Sequence, residues 1–322
     1  MPSWILKTAL QHVIGRLPKS YWWNGLFQKY VTQGYYPSRE SFEGKLNCCR
    51  QHLDHYLKFC PAPKPGFTAM ELGTGWWPII PLGLYLCGAS EIWTYDLVPV
   101  LRRDTLRRTL ELYCEFARTG ELERILKYVQ PQRLQRVKEL IGQVEKKSPA
   151  ELLKRLKIHT RIGDARSSEL PDKSIDLVYS NFVFEHPSAD TLNGLLAEFR
   201  RIASPHAVMS HHVGIADQYA DFDKSITYYN YMKYTDGWWN LLNNPVIPQN
   251  RLRVTDYRNL IEQTGWEIVE ERNTSGSLDD LNKVLLAPEF KKYSTKDLLV
   301  LFSWLVARPI GSKTEYVNNF YT

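Results

Sequence analysis

Nowhere in its 322 residues does the chain run through about 20 consecutive apolar positions, so no stretch is built to cross a bilayer as a helix. A large excess of charge is missing too. The 41 Lys and Arg stand against 35 Asp and Glu, a formal +6 that is too small and too dispersed for a nucleic-acid footprint. The Lys and Arg gathered between Arg124 and Arg161 read as solvated helix faces. Five cysteines, Cys48, Cys49, Cys60, Cys87 and Cys114, form no CxxC pair, which argues for reduced thiols and a cytoplasmic protein. Repeats and low-complexity tracts are absent. The N-terminus is basic and amphipathic, with Trp4, Ile5, Leu10, Val13, Ile14 and Leu17 on one face. It lacks a small-residue cleavage site, and it is expected to pack over the protein's own site.

What is present is an ordinary globular composition, 43% apolar and 24% charged. Residues 1–60 read as helices over 3–17, 21–33 and 39–60, an N-terminal helical lid, followed by the stiff linker Pro61–Gly66. From Phe67 strands alternate with helices. FTAMEL, EIWTYDL, IHTRIGDA, SIDLVYSNF, HAVMSHHVG and WEIVEERN are expected strands, NKVLLAP an edge strand, and TKDLLVLFSWLVAR a final helix. The block at 120–157 reads as a helical insertion. This pattern predicts an α/β doubly wound, mainly parallel sheet, with residues 61–215 as the ligand-binding core and 216–322 completing the sheet and covering the site.

Ligands of such sheets sit at the carboxyl ends of the strands, where the informative residues fall. The first strand ends in Glu71 and runs into Gly73-Thr74-Gly75, a turn that lets a ligand approach bare backbone at a helix N-terminus. The second strand ends in Asp96, placed to accept both hydroxyls of a ribose. A dinucleotide fingerprint asks for a glycine where Pro78 stands, and Trp76 and Trp77 crowd the space a diphosphate needs. A ligand without a diphosphate, S-adenosyl-L-methionine (SAM), suits the turn better than NAD.

The ordered set ELGTG, YDL, GDA (Gly163–Ala165) and SIDLVYSNFVFEH resembles the motifs of class I SAM-dependent methyltransferases, in particular the small-molecule branch labelled type 11, over about residues 67–215. That resemblance implies a Rossmann-like fold with SAM as the cofactor. Glu71 would anchor the turn, Gly73, Thr74 and Gly75 would line the methionine tail, and Asp96 would hold the ribose. Asp164 and Ala165 would contact adenine, while Tyr179, Ser180, Asn181 and Phe182 would close over the methionine part and face the acceptor. Trp77 stands where the family has its third glycine, which bears on the shape of the turn. The implied activity is methyl transfer to a small molecule, such as a secondary metabolite or a sugar-like acceptor. The alternative, known among relatives, is cyclisation of SAM as substrate to azetidine-2-carboxylate with release of methylthioadenosine.

Candidate bases near strand ends are Glu185 and His186 after the fourth strand and Ser210, His211 and His212 in the fifth. Neighbouring strand residues point to opposite faces, so His211 and His212 cannot share one site, and His211 is the preferred choice. Asp217, Asp221 and Asp223 read as capping acids and no metal is expected. Partners are expected to be a small-molecule substrate and neither nucleic acid nor a membrane span. The rings of YWWNGLFQKY, GYYP and TYYNYMKYTDGWWN are expected to enclose the sulfonium and exclude water.

Overall fold

The computed structural model describes residues 3–17, 23 and 35–311. Seven strands form one sheet: β1 (Thr68–Leu72), β2 (Glu91–Asp96), β3 (Ile158–Ile162), β4 (Ile175–Asn181), β5 (Ala203–Gly214), β6 (Trp266–Ser275) and β7 (Val300–Pro309). Their order is β3-β2-β1-β4-β5-β7-β6. The first five strands are parallel, and β7 runs antiparallel to both β5 and β6. The strand order reverses between β1 and β4, which is where a doubly wound sheet opens its ligand crevice.

Each face carries its own core. Among the described helices, α1 (Ser3–Arg16) precedes α2 (Arg39–Phe59), the central helix of the front face. Ser38 caps α2 by accepting from the Ser41 N–H at 3.1 Å. Phe42, Leu46, Cys49, Leu53 and Tyr56 then fall on one buried stripe at spacings of three and four. Beside α2 lie α3 (Ile79–Leu86) and α4 (Arg103–Arg118), and below them α5 (Glu121–Ile125), α6 (Pro131–Ile141) and α7 (Pro149–Arg155). The back face is covered by α8 (Ala189–Ile202) and, after α9 (Tyr219–Phe222) and α10 (Asp236–Leu242), by α11 (Val254–Gln263). A third cluster gathers α1 with Tyr219, Tyr229, Tyr231, Trp239 and Phe290.

Several expectations are corrected. The run from Thr295 is a helix only for α13 (Thr295–Leu299), after α12 (Leu278–Asn282), and then becomes β7. Nine of the ten residues of β7 are buried because it lies between β5 and β6, so the run lacks the alternation that marks a strand. NKVLLAP forms no strand, and β6 is the edge. The N-terminal lid divides as well. Helix α2 belongs to the sheet's own front core, whereas Trp4 of α1 meets the rings of Tyr219 and Tyr234 at 5.6 and 6.1 Å. The expected helix 21–33 lies outside the described residues, Trp23 apart. The insertion is no appendage either, since Leu122, Val137, Leu140, Leu152 and Leu153 are buried in the front core.

Candidate functional site

The tip of β1 is a polar knot under an apolar helix. Glu71 is 3% exposed and accepts the Thr74 hydroxyl at 2.6 Å, which ties the turn to the strand that feeds it. Burial pushes its carboxyl up to about 8. Gly73 and Gly75 both adopt left-handed backbone, at φ +76° and +68°. A Cβ on Gly73 would stand 2.5 Å from Cγ2 of Val183, while one on Gly75 would meet nothing within 4 Å. The Gly75 N–H donates to the Asp96 carboxylate, at 3.1 and 3.3 Å to its two oxygens. Burial raises Asp96 to about 6, opposed by the backbone donors of Gly75 and Thr74. Over this turn Trp76 meets Tyr35 edge-to-face at 4.9 Å, and the Trp77 indole donates to the Tyr35 carbonyl at 3.0 Å. The segment before α2 therefore covers the turn.

The tip of β3 differs. Asp164 is exposed; it accepts the Arg166 N–H at 2.9 Å and pairs with the Arg166 guanidinium at 2.5 Å, and these hydrogen bonds lower its pKa. Ala165 is buried beside it against the back core. On β4 the residues part by face. Tyr179 and Asn181 point to the front with Glu71, whereas Ser180 points to the back, where it is hydrogen bonded to His211 at 2.7 Å. Phe182 follows at φ +57° with its ring 38% exposed and 4.4 Å from that of His212.

The strand register places the two histidines on opposite faces. His211 is fully buried on the back face, stacked on Phe184 at 4.0 Å, and burial pushes it down to about 3. His211 is thus a core residue, and the Ser180 side chain lies on the back face with it. His212 stands on the front, 3.2 Å from Asn181 Oδ1 and stacked flat on Trp304 at 4.3 Å. It is half-buried and held down to about 4, chiefly by desolvation, so it is neutral at pH 7. His186 donates from Nδ1 to the Pro248 carbonyl at 2.8 Å and fastens the loop before Asn250.

Sequence reasoning weighed Glu185 as a base beside His186 and passed over Lys45. Glu185 is 1% exposed, its oxygens find no side-chain partner, and burial raises it to about 8. Lys45 projects from α2, and its charge acts on both Glu71 and Glu185. A lysine beside the buried stripe Phe42-Leu46-Cys49 was the available signal. Among the described residues no three His, Cys, Asp or Glu converge as metal ligands. Asp217 and Asp223 instead cap local backbone, accepting from the N–H groups of Tyr219 and Ser225 at 2.9 and 3.0 Å.

Residues 130–210 match a family model described as a methyltransferase domain. The matched segment holds Asp164, Ala165 and all of β4, together with His186 and the first part of β5, and it begins after Glu71–Gly75 and Asp96. The chain has a Rossmann-like class I methyltransferase fold. Solved structures similar to it include a geranyl diphosphate methyltransferase in complex with SAM, at 10% identity and a TM-score of 0.44, covering 83% of this chain and 90% of that one. The geranyl diphosphate C-methyltransferase of Streptomyces coelicolor A3(2), in complex with Mg2+, geranyl diphosphate and S-adenosyl-L-homocysteine, aligns at 10% identity and 0.45, over 81% and 78%. A Pyrococcus horikoshii OT3 protein aligns at 13% identity and 0.48, over 88% and 98%. No curated protein matches the chain.

The residues at the crevice fit SAM as the cofactor of this fold. Gly75 faces open space that a ligand can enter, Asp96 offers a partly buried carboxylate, and the Asn181 amide nitrogen and the Glu185 carboxylate are buried without side-chain partners.

Proposed function

We propose that the chain is a SAM-dependent methyltransferase acting on a small molecule. The observation that carries this reading is the Asp96 carboxylate held on the Gly75 N–H between two left-handed glycines. A ligand with a vicinal diol can take over that carboxylate, and the turn leaves the approach clear. When bound, SAM supplies a methyl group on a sulfonium that already carries its leaving group. In this reading Asp96 holds the ribose, Gly73, Thr74 and Gly75 face the amino-acid tail, and Glu71 keeps the turn closed through Thr74. Asp164 and Ala165 border the adenine, with Arg166 as the partner that Asp164 must share.

At the acceptor side His212 serves as the base in place of His211. It is neutral, it faces the front, and Asn181 Oδ1 is placed to accept from its Nδ1–H, which leaves Nε2 as a lone pair. Phe182 and Glu185 border the same strand ends, a short-range lining that suits a small acceptor.

Calorimetric titration with S-adenosyl-L-homocysteine and analysis of the products formed from SAM test the reading together. Binding that Asp96→Ala removes, with S-adenosyl-L-homocysteine formed from SAM when an acceptor is supplied, supports it. Methylthioadenosine formed from SAM alone would replace it with cyclisation, and binding without either product would leave a scaffold.

A further inference from the structure

Behind the front-face site, four side chains line up that methyl transfer itself does not use. His52 and His55 sit one turn apart on α2, and both direct Nδ1 at the hydroxyl of Ser210 on β5, at 2.9 and 2.8 Å. All three residues are buried, His52 and Ser210 completely. On the outer side His55 Nε2 lies 3.4 Å from the Glu270 carboxylate of edge strand β6, within ion-pair distance but short of hydrogen-bond geometry, so this is the one contact of the chain that must tighten before a proton crosses it. Glu270 is 22% exposed and pairs with the exposed Lys58, so it touches solvent. On the inner side His52 Nε2 is buried with no partner. The rings of His52, His55 and His212 all pack on one indole, Trp304, at 5.0, 5.2 and 4.3 Å. The other charged or titratable groups acting on the pair are His211, His212 and Lys45 at His52, and Lys58 and Arg272 at His55.

A hydroxyl has one hydrogen, so Ser210 can donate to only one of the two rings and must accept from the other. The carboxylate decides which. Glu270 only accepts, so His55 carries its hydrogen on Nε2 and its Nδ1 accepts from Ser210. Ser210 then accepts from the Nδ1–H of His52, and His52 Nε2 is left as a bare lone pair. Every link points outward.

We propose that His52, Ser210, His55 and Glu270 form a reversible proton relay that takes up the proton released in the enclosed site and shows it to solvent at the sheet edge. The inference rests on the methyl-transfer reading for the source of that proton. A proton enters at His52 Nε2, and the Nδ1 hydrogen passes to Ser210. The Ser210 hydrogen passes to His55 Nδ1, and the Nε2 hydrogen passes to Glu270. One proton enters, one arrives, and the positive charge never rests in the interior. When the site reopens to water the same hops run backward and restore the chain. His52, Ser210 and His55 are positioning and relay groups here, and the base that meets the acceptor remains His212.

Imidazole nitrogen NMR on the full chain, without cofactor, tests the relay. The wild type is expected to hold hydrogen on Nδ1 of His52 and on Nε2 of His55. Glu270→Ala, at a part-exposed edge, is expected to shift the tautomers of both rings, although His52 lies two links away. In Ser210→Ala the His52 ring stops responding to the Glu270 substitution. The His52 ring hydrogen is also expected to exchange with water about tenfold more slowly in Ser210→Ala than in the wild type, with backbone amide exchange unchanged. A wild-type His52 protonated on Nε2, a His52 indifferent to Glu270→Ala, or equal exchange rates would each overturn the relay. Failure to bind S-adenosyl-L-homocysteine would remove the methyl-transfer reading and leave these tautomer results to be judged separately.

Discussion

His211 and His212 are neighbours in the chain, yet they belong to different parts of the molecule. His211 is sealed between Ser180 and the aromatic layer of Phe184 and Phe199 on the back face, whereas His212 faces the crevice from the front beside Asn181. The same division runs across the central strands. Glu71, Tyr179, Ser210 and Trp304 share the face that α2 covers, while Leu72, Ser180 and Leu305 share the face that α8 and α11 cover. Strand alternation alone therefore decides which polar residues can do chemistry. Both faces keep buried polar atoms without partners, His211 Nε2 and Ser303 Oγ on the back and Tyr179 Oη and the Asn181 amide nitrogen on the front, but only the front turns toward the crevice.

The sharpest way to break this comparison is to remove one histidine at a time. His212→Ala is expected to lower turnover by about a hundredfold or more, the range for a lost general base, with S-adenosyl-L-homocysteine affinity nearly unchanged. Product formation at fixed cofactor checks it, and full activity would show that the front face has no base. Asp96→Ala is expected to cost about 3 kcal/mol or more of cofactor binding, since two hydrogen bonds to a charged group are lost. Calorimetry reads this directly, and unchanged affinity would refute the ribose assignment. His211→Ala is expected to cost about 2 kcal/mol of stability through an emptied, partly polar core site, seen in denaturant unfolding, with affinity and turnover kept. A catalytic defect without loss of stability would return the base to the back face.

A smaller effect concerns pH. Burial raises Glu185 to about 8, so it is protonated in the folded chain at pH 7 and ionised in the unfolded one. Its contribution to stability is therefore lost as pH rises from the ordinary carboxyl range to about 8. The Glu185→Gln variant stays neutral and is expected to gain melting temperature over the wild type across that window, and to show no gain at pH 4. A constant difference at every pH would mean that the carboxyl is ionised in the fold.

The strand–helix alternation, the glycine turn and Asp96 were legible in the sequence because each is a local signal, a period of two or a bend that needs glycine. The register between strands was not. Nothing local says that Ser180 pairs with His211 and Asn181 with His212 across β4 and β5, so the parity rule was available without the origin that tells front from back. The strand β7 escapes sequence pattern for a related reason. Buried on both faces, Val300–Pro309 has no alternation to show, and its apolar run matches a buried helix equally well. Lys45 and the histidines of α2 act on the site only through tertiary packing, which for His52 and Ser210 spans 158 residues of chain, and sequence pattern does not bridge it.

The most direct test of the cradle is to follow the Gly75 amide by NMR while the full chain is titrated with S-adenosyl-L-homocysteine and, separately, with NAD. If Asp96 releases that N–H to take a ribose, the Gly75 resonance moves and saturates with the homocysteine ligand and stays in place with the dinucleotide. Movement with NAD alone, or with neither ligand, would contradict the assignment of this turn to an adenosyl sulfonium.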